Sequence, residues 1–112
     1  MSTTSKEHSA DFDLVIDESN LSTIQELINA ALSLELPGKF RLVVDLSKAS
    51  ALSVMLAWPN LQNVMSNQSK ELSEKTSSLL VSGPRELYEV AGRLKERLSE
   101  SGYVQPVEIK IV

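Results

Sequence analysis

The chain has no cysteine, a single histidine and few aromatic residues, 4% of its length. Each shortage closes a class of explanation. Without cysteine there is no disulfide, no thiolate nucleophile and no cysteine-ligated metal, and a reducing compartment fits. The one histidine, His8, falls in a polar N-terminal stretch, where neither a base nor a metal ligand has the fixed position its role requires. No His-rich metal spacing and no Gly-rich phosphate loop is present, so no metal and no cofactor is expected. No apolar run approaches the roughly 20 residues of a membrane-spanning helix, and residues 1–10 lack the apolar centre of a signal peptide. A basic surface is missing too. Formal net charge is −4, and the strongest basic cluster, Arg93, Lys95 and Arg97, is interrupted by Glu96. Nucleic-acid binders carry a basic patch that neutralises phosphates. Nucleic acid and membrane insertion are therefore not expected, and a cytoplasmic protein is.

What is there is one domain's worth of sequence. The 112 residues, 42% hydrophobic, suffice for one core. Residues 1–10 read as a disordered tail, and 11–112 as the folded domain. Phe12, Leu14 and Ile16 alternate with acids, as in a half-exposed edge strand. Asn20 or Ser22 offers an N-cap, and Ser22 with Gln25 matches a capping box. Leu21, Ile24, Leu27, Ile28, Ala31 and Leu32 form a helical stripe that Pro37-Gly38 ends. Phe40 to Leu46 is a second strand, and Leu42, Val43 and Val44 imply cover on both of its faces. Ser50 to Trp58 is nearly uncharged and largely apolar, and Pro59 then implies a kink or a fresh helix start. Ser78 to Ser82 is a short buried strand. Gly83-Pro84 opens a helix with a stripe of Leu87, Val90, Ala91, Leu94 and Leu98, and Val107 to Val112 is a terminal strand. The order β-α-β-α-β-α-β specifies an α/β fold: one four-stranded sheet, mainly parallel or mixed, with three main helices.

Candidate sites cluster where strands end, since open α/β sheets meet ligands and partners at their carboxyl ends. Asp45 and Ser47 stand at the end of the second strand. An Asp there caps a loop more often than it serves as a base or a metal ligand. Gly83 and Arg85 mark a helix N-terminus that can hold an anion. Leu52, Met55 and Trp58 recur at a spacing of three and form a contact patch if that segment is helical, the alternative being that Trp58 fills the core of an aromatic-poor domain.

Leu42-Val-Val-Asp-Leu-Ser47, the helix after it, Leu79-Leu-Val-Ser-Gly-Pro84 and the helix beginning at Arg85 together resemble the STAS domain. That family includes bacterial anti-sigma factor antagonists and the cytosolic domains of sulphate transporters. The likeness covers about residues 12 to 100. It implies a non-enzymatic regulatory or scaffolding module whose partner is a protein of the kinase or anti-sigma type. In the antagonists an Asp-Ser-Ser-Gly phrase follows the strand, and its first serine is phosphorylated. Here Ser53, Val54, Met55 and Leu56 occupy those positions. Val54 has no hydroxyl, so the family's switch cannot operate there. The family also begins with a two-strand hairpin, of which only Phe12 to Ile16 is convincing here. An outer edge left bare can pair with a second copy.

The expectation is therefore a STAS-like protein-binding module, with a partner surface drawn from Ser47, Ser50, Leu52, Ser53, Val54, Met55 and Trp58. Phosphorylation is either replaced by constitutive binding or moved to Ser47, Ser50 or Ser53. The alternative is a small-ligand or lipid-binding domain, with the same apolar helix lining a pocket.

Overall fold

Period-two alternation decides which side of the sheet is buried. Ile16, Phe40, Leu42, Val44, Leu79 and Val81 lie in one core cluster, while the residues between them face the other way. A computed structural model describes residues 12–34 and 38–112. The expected tail with His8, and the stop at Pro37, lie outside the described residues. The described elements are β1 (Asp13–Asp17), a 3-10 turn (Leu21–Thr23), α1 (Ile24–Ser33), β2 (Phe40–Asp45), α2 (Ala51–Asn67), α3 (Ser69–Lys75), β3 (Thr76–Gly83), α4 (Leu87–Glu100) and β4 (Val107–Ile111).

The strands lie side by side in chain order, and every neighbouring pair is parallel. Rows run straight across the sheet: Leu14, Leu42, Leu79 and Val107 in one, Ile16, Val44, Val81 and Ile109 in another. Crossovers of one hand, advancing in one direction, deliver every helix to the same side. The core cluster follows this rule. It joins those rows to Ile24 and Ile28 of α1, Val54, Trp58, Leu61, Val64 and Met65 of α2, Leu72 of α3, and Leu87, Ala91, Leu94 and Leu98 of α4.

The α/β sheet of four strands expected from the pattern is present, entirely parallel. Three local expectations meet the structure differently. First, both faces of β2 are covered as expected, Leu42, Val43 and Val44 all being buried, but helices cover only one of them. Val43 faces away from the core cluster and is shielded by its register partners Val15 and Leu80. Second, no fresh helix starts at Pro59, because α2 is continuous through it. The carbonyl that proline leaves unbonded belongs to Met55 by the i−4 rule, and both residues are on the exposed side, where water can replace the bond. The helix breaks later, at Gln68 (φ −118°), and the short α3 that follows joins the three longer helices among the described residues. Third, Ser22 makes no capping box. The 3-10 turn runs into α1 without a side-chain cap. Asn20 instead ties off β1: its side-chain oxygen accepts the Asp17 N–H at 2.8 Å, and its amide donates to the Val15 carbonyl at 3.1 Å.

A buried clasp closes the amino end of the sheet. Thr76 Oγ1 and the Tyr103 hydroxyl lie 2.8 Å apart, and burial pushes the Tyr103 phenol above its ordinary value. Ser73 Oγ accepts the Val104 N–H at 2.9 Å. The other end, where the strands point, is left for the site.

Candidate functional site

Ser50 starts α2. Its backbone is extended, its Oγ accepts the Ser53 N–H at 3.1 Å, and its hydroxyl lies 2.9 Å from that of Ser53. This is an ordinary serine N-cap. It fixes the first turn of α2 at the carboxyl end of the sheet and thereby sets which residues look out. Leu52 is 70% exposed, Met55 54% and Leu56 75%, whereas Val54 is 3% exposed and Trp58 6%. Two candidates are therefore corrected. Val54 and Trp58 belong to the core, because successive helix positions turn about 100° and the side facing the sheet takes both. Leu56 replaces them on the surface.

Met55 then meets the start of α4. A groove of about 650 Å³, open to solvent, runs between Ala51 and Met55 of α2, Arg85, Tyr88 and Val90 around α4, and Ile111 at the end of β4. The fold thus brings Met55 and Arg85, two residues singled out by sequence, to one hollow. Tyr88 and Ile111 were not foreseen. Tyr88 is exposed on a helix otherwise rich in charge, and an exposed aromatic on such a helix was the available signal.

Gly83 has a different role from the one expected. A Cβ there would collide with Leu87 Cδ2 and come within 3.5 Å of Leu46 Cβ, so glycine lets β3 and α4 pack closely. Pro84, Arg85 and Glu86 form a turn, and α4 begins only at Leu87. Glu86 and Glu89 flank that helix start, where carboxylates repel an anion. The anion-site reading of Gly83 and Arg85 is dropped.

The ends of β1 and β2 carry twin Asp-x-Ser turns on the face opposite the helices. Asp17 Oδ1 accepts the Ser19 N–H at 2.9 Å and its hydroxyl at 2.5 Å. Asp45 Oδ1 accepts the Ser47 hydroxyl at 2.6 Å, the Ser47 N–H at 3.1 Å and the Ser82 hydroxyl at 3.3 Å. The two acids are register neighbours. The Ser47 hydroxyl, then the Ser47 N–H, hold the Asp45 carboxyl below its ordinary value against a small opposing effect of burial. Ser19 does the same for Asp17. Such carboxylates are turn caps and weak bases. Among the described residues, no group of three or more His, Cys, Asp or Glu side chains is placed to hold a metal ion.

The turn at Asp45 has a testable pH signature. Its folded pKa is depressed, so its contribution to stability is complete above the ordinary carboxylate value, about 4, and is lost as pH falls through the folded value. Asp45→Asn keeps a capping side chain but cannot titrate. Its melting temperature should decline less steeply than the parent's below about pH 4. Parallel melting curves over that range would show that the Asp45 carboxylate adds nothing.

Comparison with protein-family models, with curated proteins and with solved structures gave no match.

Proposed function

We propose that the chain is a non-enzymatic protein-binding module of STAS type, docking its partner on the uncharged start of α2. One observation carries this reading: Leu52, Met55 and Leu56 stand more than half exposed on a capped, regular helix. Large apolar side chains on a rigid element suit a contact that a partner can fully desolvate. Their burial contributes about 25 cal/mol per Å² before association costs are subtracted. The STAS resemblance supplies the class of partner, a kinase or anti-sigma type protein.

Phosphorylation does not control this surface at the position the resemblance marks. Val54 is both without a hydroxyl and buried. Among the serines nearby, Ser50 caps α2 and Ser47 donates its hydroxyl to the Asp45 carboxylate that caps the β2 turn, so both hydroxyls already serve the fold. The alternative of a small-ligand or lipid carrier has less support, because the groove beside Met55 opens to solvent instead of closing around a ligand.

Met55→Asp tests the module. The parent chain and the variant are used as bait in extract from the native host, and captured proteins are quantified by mass spectrometry. A partner held by the parent should drop at least tenfold, about 1.4 kcal/mol, on the variant, with the melting temperature almost unchanged. Equal capture by both would remove α2 from the binding surface. A parent bait that retains nothing above the bare matrix would sink the module reading itself.

A further inference from the structure

The helices divide sharply by charge. α1 and α2 carry a single charged residue between them, Glu26, whereas α3 carries four and α4 six. Between Lys48 and Lys70 there is no charged residue at all. Burial does not explain this. The outward stripe of α2, formed by Leu52, Leu56, Pro59, Asn60, Asn63 and Asn67, is exposed along its whole length. A solvated helix face ordinarily carries Lys and Glu, and interface cores are depleted of them.

We infer that the occupant of this stripe is a second copy of the chain, bound through a two-fold contact of α2 against α2. The inference rests on the reading of α2 as a binding surface, and it puts a second copy of the chain in place of the partner class that the STAS resemblance implies. Charge is the first argument. The chain carries −4, so two copies repel, and least where the surfaces that meet are neutral. A partner of opposite charge would select a charged face, which α2 is not. Self-complementarity is the second. A two-fold contact sets a patch against its own rotated image. Each Asn amide both donates and accepts, so the row Asn60, Asn63 and Asn67 can hydrogen-bond to neutral groups of any such image.

The layout of the stripe places the axis. Its apolar part, Leu52, Leu56 and Pro59, lies toward the N-terminus and its amide part toward the C-terminus. An antiparallel crossing centred on Leu56 sets Leu56 against its counterpart. It also sets Leu52 beside the counterpart of Asn60, so Leu56 and its counterpart form the apolar centre, each Leu52 is flanked by an amide, and Asn63 and Asn67 lie toward the rim.

The absence of cysteine makes a clean probe available. Leu56→Cys places one thiol beside the axis, within the short Cα separation a disulfide requires. Under mild oxidation it should give a covalent dimer on a non-reducing gel. Ser77→Cys, exposed on β3 and away from the helix layer, should give little. Sedimentation of the parent should show a monomer–dimer equilibrium between micromolar and millimolar concentration. Leu56→Glu sets like charges against each other at the axis and should weaken that association at least tenfold. Its melting should stay near the parent's, because Leu56 is exposed. A parent that stays monomeric at millimolar concentration overturns the inference, as does a dimer that Leu56→Glu leaves intact. Equal cross-linking of the Leu56→Cys and Ser77→Cys variants overturns it too. If the inference fails in one of these ways while Met55→Asp still releases a captured host protein, the binding module stands and only the second copy is excluded.

Discussion

Val54→Asp should unfold the domain or lower its melting temperature by tens of degrees. Val54 lies in the first turns of α2 with its side chain in the core cluster. An unpaired carboxylate there costs several kcal/mol, a large share of the roughly 5–15 kcal/mol that typically holds a small domain folded. The next residue provides the control. Met55→Asp places the same charge in water and should shift melting by no more than a few degrees. Circular dichroism melts of the two variants beside the parent decide the matter. If Val54→Asp melts like the parent, the rotation of α2 about its axis is wrong, and with it every statement about which residues of that helix look outward.

Phe40→Ala should cost about 3–5 kcal/mol, the usual range for deleting a buried phenylalanine. Phe40 is fully buried at the start of β2, and its ring stacks on Phe12 at 5.4 Å between centroids. In a chain so poor in aromatic residues, few other side chains can fill that volume. Phe12 is partly exposed, so Phe12→Ala should cost less. Urea denaturation gives both values. The midpoint should fall with little change of slope, since the surface exposed on unfolding is almost the same. A loss below about 1 kcal/mol for Phe40→Ala would show that the neighbouring side chains collapse into the space.

Strand and helix stripes were legible because burial on one side leaves a period. Leu42, Val44, Leu79 and Val81 alternate, and Leu87, Ala91, Leu94 and Leu98 recur at helical spacing. Three features were not legible. Continuity of α2 through Pro59 depends on the proline and Met55 both facing water, which is a property of the packed helix. The break at Gln68 has no glycine or proline to announce it. The cover on Val43 comes from Val15 and Leu80, residues of two other strands, and only register brings them together.

The site was half legible for a related reason. Uncharged composition pointed to residues 50–58, but it could not say which of them face the sheet. A spacing of three grouped Trp58 with Leu52 and Met55. Over two such steps the helix turns to about 120° short of two full circles, enough to carry Trp58 into the core. Leu56, about one turn beyond Leu52, holds the face that Trp58 leaves. The meeting of Met55 with Tyr88 and Ile111 follows from the placement of α4 beside α2, and no local pattern records that.

The match between strand order and chain order bears on how the protein is made. Among the described residues each strand pairs only with its neighbours in sequence, and no later strand has to insert between two that have already paired. The sheet can therefore be assembled during synthesis, one strand and helix at a time, as the chain leaves the ribosome from its N-terminus. β2 completes its first neighbour contacts before β3 exists, and each added crossover encloses only the loop entropy of its own unit. Helix α2 completes its surroundings only when α4, which flanks it and is the last helix to be translated, arrives beside it. Until then its charge-free stripe and the flank that α4 will cover are both open to water, so nascent chains on neighbouring ribosomes can associate through α2.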